Sequence, residues 1–507
     1  MVAAYEQSFE RLARHARETA LWVTTESALG WDERTLMPAA AAEYRTEQIT
    51  FLAGMIHSRR TDPQLGALLA ELADSPLAAD PTSDTGATIR HLKRDYDKRV
   101  KLPQSLVEEL ARTASVAQHV WQGARTRNDF ASFREVLAKM FVLKRAQADA
   151  LGYVATPYDA LLDDYEPDES TANVTRVLAE LRDALVPLVA AIADSGRSPD
   201  ATILTRHFPQ PAQQQFGSMV AAKIGFDFNR GRLDVTAHPF CTSLGPHDCR
   251  ITTRFDERFF PTALFGILHE AGHGIYDQGL RTEWHGLPPG EAISLGIHES
   301  QSRLWENLVA RSLPFWQHFY PAAQKAFPAL ADVALSDFYF AINHVRPSLI
   351  RVEADEATYN LHILIRFELE QALLAGDLPV ADLPAAWNEK YHQYLGITPT
   401  GDADGVLQDI HWAAGLIGYF PTYSLGNLYA SQFFAAADAE LGGLGAQFAK
   451  GQFDDLRHWL VEKIHSAGQR FTAAQLIQRV SGKPLSHRPL IEHLRGKLAP
   501  LYRTPAA

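Results

Sequence analysis

Apolar side chains recur at helical spacing along most of this chain. Residues 5–25 carry Phe9, Leu12, Ala13, Ala16, Ala20 and Leu21 on one stripe and predict a helix. Residues 29–38, Leu29-Gly-Trp-Asp-Glu-Arg-Thr-Leu-Met-Pro38, read as a turn-bearing segment with large side chains. A second helical pattern passes through Arg45, Gln48, Leu52 and Ile56 to His57. Thr61-Asp62-Pro63 is a helix-start signal, followed by a stripe of Leu65, Leu68, Leu69 and Leu72. Residues 77–86 read as a loop and 87–101 as a charged helix whose basic run is a solvated face. Further helices are expected over 104–126, 131–151 and 171–195, with an acidic, aromatic loop or short helix at 158–167.

The period then changes. Residues 231–241 and 248–255 alternate and are rich in strand formers, with Leu244-Gly245-Pro246 as the turn between them, which predicts a β-hairpin. It stands nearly alone in a helical chain, just before the helical stretch Phe265–Tyr276. A free strand edge there could pair with an extended peptide. Helical patterning resumes after Arg303. Residues 350–355 are expected to open a helix continuing through Tyr359, Leu361 and His362, and residues 405–427 gather aromatic, glycine and polar residues as a pocket would. No linker, fixed-period repeat or low-complexity tract divides the chain. The expectation is a mainly α, single-domain protein over 1–507 with one small antiparallel sheet.

Composition narrows the functional classes. A 46% hydrophobic, 10% aromatic chain of 507 residues can bury a large core, and a net charge of −12 argues against a nucleic-acid surface. The opening residues lack a signal-peptide pattern, and no apolar run reaches membrane-spanning length. With only Cys241 and Cys249 there is no disulfide framework. The cytoplasm is the expected compartment, with two reduced thiols; a disulfide or an extra metal site between them is the alternative.

The chemistry concentrates at His269-Glu270-Ala271-Gly272-His273, an HExxH match. On a helix His269 and His273 share a face and can offer two imidazole nitrogens to one zinc ion, while Glu270 is left free as a proton acceptor. Ile267, Leu268, Ala271 and Ile275 give this helix apolar neighbours, and Gly272 and Gly274 allow close packing; a chance match on a solvated helix would more often have Lys and Glu beside it. Catalytic zinc needs a third protein ligand. Glu299 is suitably spaced on a following helix, with His298, Glu291, Glu306 and Asp277 as competitors; Asp277, four residues after His273, is better placed to hold that imidazole.

Several ordered segments match one family: His238-Pro-Phe240, Asp248-Cys-Arg250-Ile-Thr252, HEAGH at 269–273, His298-Glu-Ser-Gln-Ser-Arg303, Ile350-Arg351-Val-Glu-Ala-Asp355 and Gly405-Val-Leu-Gln408-Asp409-Ile-His411-Trp412, with Trp31–Pro38 as an earlier likeness. The chain resembles the carboxypeptidase Taq family of metallocarboxypeptidases. That resemblance implies a neurolysin-like helical fold, two lobes around a deep active-site groove, and a homodimer. It implies release of single C-terminal amino acids with broad specificity, one divalent metal per subunit (zinc, with cobalt as the alternative), and Glu299 as the third ligand.

An exopeptidase must also recognise a free carboxylate, which Arg does best. Arg351 and Arg250 are the candidates; the structural alternatives are ion pairs to Asp355 and Asp248. Tyr423, Tyr419 and His411 are candidate donors to the oxyanion. His238 would orient substrate or hairpin, or belong to the core. Gln408 and Asp409 would hold His411 or bind peptide, and Arg303 would buttress the Glu299 helix. Two other functions fit the same residues: a zinc endo- or oligopeptidase, and a non-catalytic helical peptide-binding protein.

Overall fold

The computed structural model describes residues 2–504. Long helices dominate, and a three-stranded sheet interrupts them at 231–253. Asp62 caps the helix Pro63–Ala73 by accepting from the Gln64 amide, with Pro63 in the first turn, as the helix-start signal predicts. The helices Gln104–Arg127, Ala131–Leu151 and Thr171–Asp194 fall within a residue of the expected bounds, while Asp84–Lys101 begins three residues early, inside the stretch expected to be loop, because Ser83 caps it by accepting from the Gly86 amide. The first helix is longer than its pattern: Val2–Thr35 runs through Gly30 and Trp31 without a turn. Around Gly30 an added Cβ would meet nothing, so that glycine costs helix propensity but marks no break. Arg351 stands on a short 3-10 turn, Arg351–Glu353, and the α-helix begins only at Tyr359.

The sheet departs from a simple hairpin. β1 is Gly231–Val235, β2 is Cys241–Ser243 and β3 is Cys249–Thr253. Their order is β1-β3-β2. Only β2 and β3 form the antiparallel hairpin, with Ser243 opposite Cys249; β1 pairs with β3 in parallel, Leu233 opposite Ile251. The chain leaves the sheet at residues 236–240, where Pro239 has no amide proton to give a ladder, and returns on the other side of β3. β3 is therefore central and buried against the helix Phe260–Gly279, with Gly274 facing Ile251 and the Cys249 thiol near the Gly274 carbonyl.

One continuous apolar core runs from Ala117 to Tyr502, and a smaller cluster of Leu12, Leu68, Leu69, Leu72 and Ile89 holds the N-terminal helices together. A cavity of about 1030 Å³ opens between those N-terminal helices and the sheet. Its walls include Arg94 and Asp163 on one side and Cys241, Asp277, Glu291 and His298 on the other.

Candidate metal centre

The HEAGH residues lie on the buried helix Phe260–Gly279. Its partner is the helix Leu295–Arg303, which continues as a wider π-helical turn over Leu304–Val309. The two helices approach closely because position 272 has no side chain: a Cβ there would come within 2.6 Å of the Gln301 carbonyl oxygen. The N-terminus of the second helix is pinned by a buried acid. Glu166 accepts hydrogen bonds from Ser294 Oγ, the Gly296 amide and the Tyr429 hydroxyl at 2.9, 3.0 and 3.1 Å.

This packing brings His269, His273 and Glu299 together, with one donor atom from each within 4.8 Å of the others. Glu299 Oε2 is 3.6 Å from His269 Nε2 and 3.4 Å from His273 Nε2. Ligand atoms about 2.0–2.1 Å from a tetrahedral zinc are about 3.3–3.4 Å apart. The donor set and its spacing therefore fit a divalent metal. The imidazoles keep 19% and 15% of their side-chain surface exposed, so the centre is not sealed.

The groups behind the cluster fix its orientation. With the tautomers that leave both Nε2 atoms free, His269 Nδ1–H donates to Glu306 Oε2 at 2.9 Å, and His273 Nδ1–H donates to His298 Nδ1 at 2.6 Å. His298 in turn donates from Nε2 to Asp277 Oδ1 at 3.0 Å. Asp277 thus holds His273 through His298 and not directly, which corrects the expectation from its spacing. Three of the competitors for third ligand, Glu306, His298 and Asp277, are in this supporting layer. Glu291 is exposed on the loop after Pro288–Gly290, outside the cluster. Arg303 buttresses Glu299 as expected, donating from Nε to Oε1 at 2.6 Å, while Ser302 Oγ donates to Oε2 at 3.0 Å.

The electrostatics separate the two acids. Burial opposes the Glu299 charge, but Arg303 and His269 hold its carboxyl well below the usual range. Glu306 is likewise drawn to about 2 against burial, by Arg303 and His269. Glu270 has no arginine beside it, and the His269 and His298 charges that favour its carboxylate do not offset its burial. Burial pushes it up to about 7, with Glu299 and Glu306 adding to the rise. Its carboxylate makes no hydrogen bond or ion pair with any described residue. Before a cation is added, His269 is raised to about 9 by Glu299 and Glu306 in spite of burial, and His273 is lowered to about 4 chiefly by burial.

A second cluster adjoins the first. Arg303 lies over the Tyr359 ring at 4.5 Å, and the Tyr359 hydroxyl accepts from Arg351 Nη1 at 3.0 Å. Arg351 does not pair with Asp355. Its Nε and Nη2 donate to Asp409 Oδ1 at 3.0 and 2.8 Å, and Asp409 Oδ2 takes the Arg366 guanidinium at 2.6 Å. Two guanidiniums share one carboxylate, so this buried group carries a net positive charge. Asp355 instead orders the turn that leads into the next helix, accepting from the Ala357 and Thr358 amides.

Gln408 faces the backbone, accepting from the Arg351 amide and donating to Leu349 O, Tyr391 Oη and Asp404 O, all between 2.9 and 3.1 Å. It does not hold His411. Asp409 is 3.9 Å from His411 Nδ1, and His411 Nε2 is 3.3 Å from the Tyr423 hydroxyl. Tyr419 packs edge-on to Tyr423 at 5.3 Å, and Tyr423 lies against Arg351 at 5.1 Å. Burial raises both tyrosine hydroxyls and lowers His411 to about 4, so near neutrality all three are uncharged.

Two expected site residues lie elsewhere. Arg250 gives its fork to Asp248 at 2.9 and 3.0 Å and stacks on Trp31 at 4.3 Å, the structural alternative foreseen for it. His238 is exposed on the loop between β1 and β2, hydrogen-bonded to no described residue, which excludes a core role. Sequence reading missed Glu166, Tyr359 and Arg366. Arg366 had a signal: with Glu370 it is a charge inside the apolar run Leu361–Leu374, and both are fully buried.

Two imidazoles and a carboxylate around one point, beside a free carboxylate, are the donor set of a metal-dependent hydrolase. The comparisons agree. The family model described as Carboxypeptidase Taq (M32) metallopeptidase matches residues 11–498, and the chain belongs to that family. It is similar to thermostable carboxypeptidase 1 of Thermus thermophilus, 46% identical over 98% of this chain and 99% of the relative, and to carboxypeptidase 1 of Bacillus subtilis, 38% identical over 99% of each. Among solved structures, the M32 carboxypeptidase of Deinococcus radiodurans R1 superposes with a TM-score of 0.95 at 42% identity, covering 98% of this chain and 100% of that one. The Pyrococcus furiosus carboxypeptidase gives 0.93 at 33% identity, covering 97% and 98%. The protein is a metallocarboxypeptidase, a hydrolase of peptide bonds that depends on a divalent metal.

Proposed function

We propose that the chain removes single amino acids from the C-termini of peptides with broad specificity, as one catalytic domain with helical lobes around its groove, and that Glu270 is its general base. The observation that carries the base assignment is the buried, unpartnered Glu270 carboxylate, next in the chain to His269 and beside the three-residue cluster. A general base must lie within reach of the proton it takes, and a carboxylate without a protein partner is free to do so.

His269, His273 and Glu299 would hold the metal, zinc by its nitrogen and oxygen donor set, with cobalt the alternative. When bound, it supplies Lewis acidity for the scissile carbonyl and for water. Glu270 accepts the proton of the attacking water and passes it to the leaving amine. The neutral Tyr423 or Tyr419 hydroxyl, with His411 behind it, donates to the carbonyl oxygen as it gains charge. The net positive charge shared by Arg351, Asp409 and Arg366 attracts the substrate's terminal carboxylate, and Arg351, next to Tyr423, is the member nearest the tyrosines. Arg250 and His238, at the sheet, would contact the rest of the peptide, whose backbone can pair with an edge strand. The resemblance also supports a homodimer, which sedimentation would test.

Mass spectrometry of a peptide digest tests the reaction. A ladder shortened one residue at a time from the C-terminus, abolished by chelator and by C-terminal amidation, is the expected result. Internal cleavage of the amidated peptide would instead mark an endopeptidase.

A further inference from the structure

Cys241 and Cys249 sit on neighbouring strands with their sulfurs 3.7 Å apart and unbonded. Asp277 Oδ2 is 3.9 Å from Cys241 Sγ, and the three side chains bring one donor atom each within 4.8 Å of the others. Two sulfurs each about 2.3 Å from a tetrahedral zinc lie about 3.8 Å apart, and a sulfur and a carboxylate oxygen about 3.5 Å. The cluster therefore needs little movement to surround one ion. All three residues line the cavity of about 1030 Å³, which gives an ion a way in and leaves room for a water at the fourth position.

We propose that Cys241, Cys249 and Asp277 form a second metal site, selective for a thiophilic divalent cation such as zinc or cadmium. The donor set argues for that class: two thiolates and one carboxylate suit a soft ion and give magnesium or calcium no advantage. Each thiol releases its proton to solvent as its metal–sulfur bond forms. The Cys249 thiol, burial and the Asp277 carboxylate push the Cys241 thiol well above its ordinary value, so the site fills more readily as pH rises.

The location gives the site a consequence. Asp277 uses Oδ1 to hold His298, and His298 holds His273. A cation on Oδ2 draws charge from that chain and makes His273 a poorer donor. This coupling rests on the reading of His269, His273 and Glu299 as the catalytic centre; the second site itself does not.

The test is cadmium titration of the full-length protein, stripped of metal and kept reduced with a phosphine. The proposal expects two cadmium ions per chain and a thiolate-to-cadmium charge-transfer band in the ultraviolet, which the sulfur-free His269–His273–Glu299 centre cannot produce. Cys241→Ser and, separately, Cys249→Ser should abolish the band and reduce the stoichiometry to one. His269→Ala should lose the other ion and keep the band, so failure of the catalytic reading and failure of this one are distinguishable. Bound cadmium should also slow alkylation of Cys241 at least tenfold. A single ion per chain without the band, a band that survives Cys241→Ser, or unchanged alkylation would overturn the proposal. On protein already carrying one equivalent of zinc, further zinc should reduce turnover in the wild type and not in Cys241→Ser; equal loss in both would refute the coupling.

Discussion

Gly426 lies against Glu299: a Cβ added at position 426 would sit 2.6 Å from Glu299 Cγ and 2.8 Å from its Cβ. Gly272 meets the same helix: a Cβ added there would sit 2.6 Å from the Gln301 carbonyl oxygen. Two glycines on separate helices thus let the segment that carries the proposed third metal ligand pack closely on both. Gly426→Ala should cost about 1–3 kcal/mol through overpacking and push Glu299 off its position. The expected outcome is a folded protein with metal affinity reduced ~10-fold or more, read by competition with a chelator. Unchanged affinity would mean that Glu299 does not bind the metal or can move freely.

Asp277→Asn keeps the size of the side chain but removes the charge at the end of the chain through His298 to His273. Supporting partners of this kind are worth about 10–100-fold in metal affinity or activity. The loss should appear first as faster metal release at low metal concentration. If release is unchanged, the His273–His298–Asp277 chain is only packing.

Arg351→Gln should raise KM for peptides with a free C-terminus and leave metal content at the wild-type level. One charge-assisted pair lost to a substrate carboxylate is worth about 2–3 kcal/mol, or roughly 30- to 160-fold in kcat/KM. Asp409→Asn is a useful counterpart, because it frees the Arg351 and Arg366 guanidiniums of their shared anion. An equal loss of metal in Arg351→Gln would show that the residue serves the metal centre through Tyr359 and Arg303 instead.

Stability should depend on pH through Glu356. Burial works against its charge, yet Lys497 and His493, at 2.6 and 2.8 Å, draw the carboxyl from 4.5 down to about 2. A depressed folded-state pKa stabilises the fold above the unfolded value, and that contribution is lost as pH falls from 4.5 through 2. Glu356→Gln leaves a buried ammonium without its anion and should cost about 3 kcal/mol at neutral pH. Urea unfolding at descending pH should show the gap to wild type closing below 4.5; a gap independent of pH would contradict it.

What could be read from the sequence follows from how local each signal is. HEAGH is legible because its two histidines are four apart on one helix, so period alone brings them together. Glu299 could be selected by spacing only as one of several acids and histidines, since the approach of a second helix depends on Gly272 and Gly426, far apart in sequence. Arg351 stands out as a carboxylate anchor, and the only structural partner that local spacing offers it is Asp355. The actual partner, Asp409, is 58 residues away and shared with Arg366, a pairing that no local pattern encodes. The predicted hairpin held only for β2 and β3, because alternation identifies strands without saying which edge each joins. The first helix ran through Trp31 because that ring is buried beneath Arg250 and Arg232, a tertiary contact that outweighs a lone glycine.

The metal content and turnover of Glu270→Gln, measured on the same sample, test the central claim most directly. The account predicts wild-type metal stoichiometry with hydrolysis lowered about 1,000-fold or more, the range associated with removing a general base. A variant that retains most of its turnover with metal bound would contradict it.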